Sequence, residues 1–199
     1  TLIINANAGS ILNIAGNITI NNGALIENNG AVALSAPGKS FTINGTGTYV
    51  HNPINSAAID ESIFYNSNEN FSATSTLQIK KWNSGSVPLG DPTRVQTSNF
   101  GNVILEASVP GGQWDQDGYF SLPTAGRVKG TLTVNAGTIV MDDGTGNTTS
   151  LVLQAVNINN TGNIIFQRGS NRNLTLTTGS FTLNSTSPAS PTVVLDTTY

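Results

Sequence analysis

A short acidic segment offers the clearest metal-binding chemistry in the sequence. Asp115 and Asp117 are separated by one residue and followed by Gly118, a spacing with which calcium loops begin. Carboxylate oxygens are hard ligands that suit Ca²⁺, and the glycine permits a tight turn. The later ligands of a calcium loop, above all a bidentate Glu, are missing, so a polar turn is the alternative. Asp115 and Asp117 are therefore the candidate calcium ligands, and no other cofactor is expected.

Aromatic residues in the same part of the chain are candidate contacts for sugars or proteins. Trp82, Trp114 and Tyr119 carry flat rings, which stack on sugar faces and contribute strongly at interfaces. Trp114 lies in the glycine-rich stretch "PGGQWDQDGYF", which could expose its ring. The alternative is a buried indole that anchors this loop. We take these three residues as the candidate ligand-binding residues.

Paired carboxylates could also cleave glycans, because general acid–base chemistry on a sugar needs two of them at a defined separation. No catalytic motif is complete, and the single histidine, His51, precedes Asn52-Pro53 and is interpreted as a surface turn residue. We therefore expect no enzymatic activity, and a carbohydrate-active β-helix enzyme is the alternative. The carboxylates that such an enzyme could use are Asp60, Glu61, Glu69, Asp91, Glu106, Asp115 and Asp117.

The composition argues against two classes of partner. The chain has 199 residues, with eight Lys and Arg against eleven Asp and Glu, and a net charge of −3. Binding to a phosphate backbone needs a basic patch, so no nucleic-acid partner is expected. No apolar run approaches the roughly 18 residues of a spanning helix, so we expect no membrane-spanning segment.

Short β-strands are the elements that must position these side chains. Apolar residues alternate with Thr, Asn or Val in many segments, as at Ile18 and Ile20, and helical periodicity is nearly absent. Polar turns such as Asn21-Asn22-Gly23 and Asn44-Gly45 separate the segments and tolerate positive φ. Each unit is too small to bury its own apolar face, but copies stacked on one another can bury it.

The spacing of equivalent apolar positions predicts the size of one coil. It is about 19 to 23 residues, measured from Ile18 to Phe41, Leu132 to Leu151, Leu151 to Leu174 and Leu174 to Val193. We predict an all-β fold, a right-handed parallel β-helix, or β-solenoid, that spans residues 1–199 as a single domain. No capping helix is apparent at either end, so the domain is expected to be a fragment of a longer protein.

The pattern loosens from about residue 49 to residue 127. This part holds both Trp residues and the single His. We interpret it as a loop-rich continuation of the same solenoid, with longer loops that project from its corners, and a small inserted β-subdomain is the alternative. Loops on a rigid scaffold are where binding residues concentrate.

Three segments carry a resemblance to a known class of protein. "GNITINNGALIENNG", "SFTINGTGTYVHN" and "GRVKGTLTVNAGTIVMDDG" resemble repetitive β-helical segments of Bacteroidetes cell-surface adhesins and gliding-motility-type proteins. The resemblance implies export by the type IX secretion system and a location that is secreted or on the bacterial cell surface. It implies adhesion or surface display and gives no catalytic residues.

The expected function is that of a structural or adhesive segment. Its expected partners are glycans or other extracellular polymers, the neighbouring coils of a longer chain, and secretion or motility machinery. One alternative is the carbohydrate-active enzyme, with a polysaccharide lyase or glycosidase activity. A second alternative is a passenger chain within a secretion or motility assembly.

Overall fold

The chain folds into parallel strands, as the alternation of apolar residues predicts. The computed structural model describes residues 1–4, 11–34, 38–52, 67–81, 100–106, 113–115, 128–140, 150–165, 175–184 and 192–194. Every regular element in these residues is a strand, and none is a helix that could cross a membrane. The strands are β1 (Leu2–Ile4), β2 (Ile11–Ile14), β3 (Ile18–Ile20), β4 (Leu25–Asn28), β5 (Ala31–Leu34), β6 (Lys39–Ile43), β7 (Thr48–His51), β8 (Ser67–Phe71), β9 (Thr76–Ile79), β10 (Asn102–Leu105), β11 (Gln113–Asp115), β12 (Thr131–Val140), β13 (Ser150–Ile165), β14 (Thr175–Asn184) and β15 (Thr192–Val194).

Ten of these strands form one sheet, which we call the main sheet. Eight of them stack in the order β1-β4-β7-β9-β10-β12-β13-β14, while β11 joins β12 and β15 joins β13. A second sheet contains β2 and β5, and a third contains β3, β6 and β8. In the first coils, neighbouring strands are parallel and are separated by other strands in the sequence, as β1 is from β4, so each turn of the chain adds one strand to a stack. The fold is therefore a parallel β-solenoid, which confirms the predicted class, and we call each of the eight stacked strands a rung.

The coils are longer than the sequence spacing suggested. Hydrogen bonds between neighbouring coils join positions 23 apart beside the rungs β4 and β7, and 29 apart beside β10 and β12. The predicted step from Ile18 to Phe41 is confirmed. Leu132, however, pairs with Val156 and not with Leu151.

The reason for this error lies in strand length. Leu151 lies on the same long strand as Val156, and its own partner is Leu176 on β14. Val193, the last position used in the spacing, pairs with Ile164. The shorter predicted steps therefore joined positions from different places around one coil.

Side chains that face the interior of the main sheet form two columns, where a column is one register position followed from rung to rung. All but the outermost members of these columns are largely or fully buried, and removing an apolar member from water stabilises the fold by roughly 1.5–3 kcal/mol. The first column is Leu2, Ile26, Tyr49, Leu77, Val103, Leu132, Val156 and Phe181. The second column is Ile4, Asn28, His51, Ile79, Leu105, Val134, Ile158 and Leu183.

The central part continues the same stack wherever the structure describes it. β7, β9, β10 and β12 are successive rungs, so the pairing crosses the span from residue 49 to residue 127 without a break in the main sheet. The steps from Tyr49 to Leu77, on to Val103 and on to Leu132 are each longer than the preceding step from Ile26 to Tyr49. The coils of this part are therefore longer, and its predicted loop-rich character stays a prediction, because most residues between these rungs lie outside the described part of the chain.

Candidate contact surface

The predicted ligand-binding and metal-binding residues lie mostly beyond the described residues. Trp82, Tyr119 and Asp117 fall outside them, whereas the backbone of Trp114 and Asp115 forms part of β11. Trp114 pairs with Ile139, which in turn pairs with Ile164, and both isoleucine side chains are completely buried.

No metal cluster emerges from the described side chains. Among them, no group of three or more His, Asp and Glu residues is close enough to hold an ion. Asp115 is the last residue of β11, and its backbone pairs with Val140. The calcium site predicted at Asp115 and Asp117 stays a prediction, since Asp117 lies outside the described part of the chain.

Short polar side chains line much of the outward side of the main sheet, which we call the outward face. They alternate along the strands with the buried columns, as the pattern of partly buried and buried residues in β9 and β10 shows. One outward column runs through Gln78, Ile104, Thr133, Asn157 and Thr182. Successive strands repeat about every 4.7–4.9 Å. This column therefore presents amide and hydroxyl groups on successive strands, with the apolar Ile104 between Gln78 and Thr133.

A row composed mainly of asparagines links coils at the position that follows the rungs. Asn159 is at its centre: its Nδ2 donates to Asn135 Oδ1 at 2.9 Å, and its Oδ1 accepts from Asn184 Nδ2 at 3.0 Å. Asn135 Nδ2 in turn donates to Glu106 Oε1 at 3.3 Å. In the first coils the same position gives a bond of 2.9 Å from Asn52 Nδ2 to Asn29 Oδ1. We call this row the asparagine ladder.

One charge pair bridges the outward face where the asparagine ladder is interrupted. Lys80 occupies the ladder position that follows Ile79, and its Nζ lies 3.8 Å from Glu27 Oε1. Glu27 and Gln78 are the neighbours of Val50 in its outward column, so the pair spans the rung that contains Val50. Val50 is only 4% exposed although it faces outward, which is consistent with cover by the aliphatic part of Lys80.

A second set of corners is built from stacked turns. The N–H groups of Ala24, Gly47 and Ser75 donate to the carbonyls three residues earlier, so the same turn recurs in three coils. Asn22 Oδ1 accepts bonds of 2.9 Å from both the N–H and the hydroxyl of Thr46 on the next coil. Gly45 adopts a φ of 53°, as the predicted Asn-Gly corner requires.

Two polar residues, the expected surface residue His51 and the candidate carboxylate Glu69, are buried. His51 was interpreted as a surface turn residue, but it is an inward member of β7 between Asn28 and Ile79 and has no exposed surface. Glu69, one of the carboxylates considered for catalysis, lies on β8 and is 4% exposed. Both residues occupy positions set by the register with neighbouring coils, and their polarity concealed that placement.

Burial shifts the pKa values of two groups in the core. Burial lowers the pKa of His51 to about 3, so its imidazole is neutral at neutral pH. Burial also raises the pKa of the Tyr49 phenol well above its usual range, and the hydrogen bond that Asn28 Nδ2 donates to Tyr49 Oη, at 3.0 Å, partly offsets this rise. Groups that are closed off from solvent cannot touch a substrate in this conformation, so their role here is in packing.

Sequence reasoning missed the asparagine ladder as a structural unit. Its signal is an Asn placed one residue after an inward apolar residue, as at Asn135 after Val134 and Asn159 after Ile158. The offset of 24 residues between these two asparagines equals the offset of their rungs. That coincidence could have revealed the ladder, although the sequence alone does not give the register.

Comparisons with known proteins do not identify a relative. No protein-family model matches the chain, and neither does any curated protein or solved structure.

Proposed function

We propose that this chain is a structural segment of a secreted bacterial cell-surface protein and that its outward face and side loops contact glycans or other extracellular polymers. The observation that carries the proposal is the parallel pairing of eight successive rungs. Seven steps of about 4.8 Å give a rod of roughly 34 Å along the stack. A rod of this kind suits a protein that must hold other elements at a distance.

The side-chain ladders support a stiff rod. Hydrogen bonds at two sets of corners join one coil to the next, in addition to the backbone pairing of the sheets. Each coil contacts only its neighbours, so stiffness depends on every interface being well made. Bonds between coils on both sides of the interruption at Lys80 therefore favour a mechanical role over one that needs moving parts.

Contact with glycans is proposed for the outward face because of its chemistry. Gln78, Thr133 and Asn157 are short polar residues that are partly exposed and lie in one column. Sugar hydroxyls pair readily with amide and hydroxyl groups, and binding through many weak contacts suits an extended polymer. The cell-surface location and export by the type IX system are proposed from the sequence resemblance described above.

A glycan array probed with the purified chain, with and without Ca²⁺, tests the adhesive part of this proposal. Discrete binding that is lost in Thr133→Glu but retained in Trp114→Ala would assign the contact to the outward face. Loss in Trp114→Ala alone, with the stability of the variant unchanged, would assign it to the segment around β11. A blank array would leave a passive spacer and contradict glycan contact.

Incubation of the chain with a panel of polysaccharides tests the structural part of the proposal. Release of new reducing ends or unsaturated products by the wild-type chain would contradict a purely structural role and favour the carbohydrate-active enzyme. We expect no product at any pH.

A further inference from the structure

Three Asn-Gly pairs occur in the sequence, and all of them lie in the described part of the chain. They are Asn22-Gly23, Asn29-Gly30 and Asn44-Gly45. Asparagine is thermolabile because the backbone nitrogen of the next residue can attack its side-chain carbonyl, and a glycine at that position has no side chain to hinder the attack. Since the three pairs share this chemistry, their surroundings decide which of them reacts.

Asn29-Gly30 is protected at the attacking nitrogen. Gly30 is buried, and its N–H donates to Asn28 Oδ1 at 3.0 Å. The nitrogen must lose this proton before it can attack, and the proton is held in a hydrogen bond away from water. We therefore expect this pair to be the slowest of the three.

Asn22-Gly23 is protected at the carbonyl that would be attacked. Asn22 Oδ1 accepts bonds of 2.9 Å from both the N–H and the hydroxyl of Thr46. The carboxamide must turn towards the nitrogen of Gly23 for the attack, so both bonds would have to break. The side chain of Asn22 is also packed against Gly45, where an added Cβ would overlap Asn22 Oδ1.

Asn44-Gly45 has neither form of protection. Asn44 is exposed, and the one described bond of its side chain is a long one, 3.4 Å from Nδ2 to Asn21 Oδ1. Within the described residues, no group accepts a hydrogen bond from the Gly45 N–H. A neighbouring coil lies on each side, because the corner bonds to Ile20 on one and to Thr74 on the other, so this exposure is a property of the corner itself.

We infer that Asn44 is a site of spontaneous modification, in which its side chain cyclises with the backbone of Gly45 and then opens as aspartate or isoaspartate. The Gly45 N–H gives up its proton, a bond forms from Gly45 N to Asn44 Cγ, and the bond from Cγ to Nδ2 breaks. Nδ2 takes up a proton and departs as ammonia, so a succinimide ring remains. Water then adds to one of the two ring carbonyls and breaks its bond to the nitrogen, which gives aspartate at Cγ and isoaspartate at the backbone carbonyl. This modification goes beyond the proposed function and does not depend on glycan binding.

Isoaspartate would disturb the stacking of the first coils. It routes the main chain through the side chain and so adds one methylene between the Asn44 N–H and the Gly45 carbonyl. The first of these groups donates to Ile20 O at 2.8 Å, and the second accepts from Thr74 Oγ1 at 2.8 Å. A longer segment cannot keep both bonds at the spacing of neighbouring strands, so the modification should lower the stability of the chain.

Peptide mapping by mass spectrometry after incubation in mildly alkaline buffer tests the inference. In the folded chain, we expect the peptide that contains Asn44 to gain aspartate and isoaspartate first. Asn29 should react slower by roughly tenfold or more, the factor that one hydrogen bond is worth. The same incubation in concentrated urea is the control, because unfolding removes the protection and the three pairs should then react at similar rates.

Asn44→Gln is the matched variant, because glutamine keeps an amide but would have to form a less favourable six-membered ring. After the same incubation, urea denaturation of the wild type should show a growing fraction of less stable protein, and that of Asn44→Gln should not. Faster reaction at Asn22 or Asn29 in the folded chain, equal rates at all three pairs, or the same order of rates in urea would each overturn the inference. An equal loss of stability in both proteins would overturn the effect assigned to the modified corner.

Discussion

The first and second parts of the solenoid share one backbone plan but fill it differently. In the first part, from β1 to β9, separate strands of three to five residues belong to three sheets, and the interior holds aromatic and polar side chains. In the second part, from β10 to β15, strands reach 16 residues, and the inward columns described there are mainly aliphatic. The types of residue that fill the interior therefore differ between the two parts, whereas the parallel pairing of rungs is common to both.

The aromatic interior of the first part is packed by edge contacts. The Phe41 ring lies 5.0 Å from both Tyr49 and Phe71 in T-shaped arrangements, and Phe71 lies 5.5 Å from Phe100. Such pairs contribute about 0.5–1.5 kcal/mol beyond the area that they bury. Large rings fill the space that Leu, Val and Ile fill in the second part, and they leave room for few other side chains. The histidine and the tyrosine–asparagine pair are buried beside them.

The corners differ as well, and the second part depends on close backbone approach. Strands β12 and β13 run through a corner, where the register shifts between Val134 and Ala136. Gly137 has a φ of 80° there and pairs with Gly162 on the next strand. The first part instead closes its corners with four-residue turns and side-chain bonds such as those of Asn22. We therefore expect a larger side chain at a corner to destabilise the second part more than the first.

The largest expected effect is that of Gly162→Ala in the second part. A Cβ at this position would overlap the carbonyl group of Val134, which is backbone and cannot rotate away. We expect a loss of about 3 kcal/mol or more in the free energy of unfolding, because close-packed interiors do not absorb such an overlap. Urea denaturation measures the loss. Gly16→Ala is the control, since nothing lies within 4 Å of its added Cβ, and equal stability of the two variants would contradict the tight corner.

The next largest effect concerns acid, because the polar core of the first part should make its stability depend on pH. The folded state holds His51 neutral with a pKa of about 3, below the ordinary 6.5, so the unfolded chain binds the proton first as pH falls. This stabilisation is complete above about pH 6.5 and is lost progressively towards pH 3. His51→Leu should remove that part of the acid sensitivity, on the order of 2 kcal/mol at about pH 5.

Urea denaturation as a function of pH measures this difference. Ile79→Leu changes the neighbouring residue of the same column and should leave the pH dependence of the wild type unchanged. The difference between wild type and His51→Leu cancels the contribution of carboxylates elsewhere. An identical pH dependence of both proteins would contradict a buried neutral imidazole.

The sequence predicted the backbone plan because alternation is a local property. Ile18 and Ile20 alternate with polar residues, and each pairs with an apolar residue of the next coil. Register is not local, since it depends on how many residues each corner takes up. Leu151 and Val156 lie on one strand of 16 residues, which the alternation could not reveal, and the coil length was underestimated there.

The buried polar residues were unpredictable for a related reason. His51 follows Tyr49 by two residues, so alternation alone would have placed it inward, but its polarity and the Asn52-Pro53 that follows it indicated a turn. The column shows that it stacks between Asn28 and Ile79, where Asn28 is polar too. The register with neighbouring coils therefore decides that this polar side chain lies in the core, and the sequence alone does not give that register.

A smaller effect compares the asparagine ladder in the two parts. Asn159→Asp loses the hydrogen bond donated to Asn135 Oδ1 and sets two acceptors against each other, so we expect a cost of about 1–2 kcal/mol. Asn52→Asp removes the corresponding bond to Asn29 in the first part. Urea denaturation at neutral pH should give similar costs for both variants, with Asn184→Asp on the exposed last rung the least affected. A negligible cost for Asn159→Asp would show that the ladder adds nothing to the backbone pairing.

The smallest effect concerns the charge pair at the junction of the two parts. Glu27→Gln should change stability by less than about 0.5 kcal/mol, because the side chains of Lys80 and Glu27 are 38% and 27% exposed and water screens their attraction. Lys80→Ala should cost more than Glu27→Gln, since it also removes the aliphatic cover from Val50, whereas Lys80→Met keeps that cover. Urea denaturation at low and high salt separates the two contributions. If Lys80→Met is as damaging as Lys80→Ala, the charge is what matters; if it is harmless, the ladder position of Lys80 serves to shield an apolar residue where no asparagine continues the ladder.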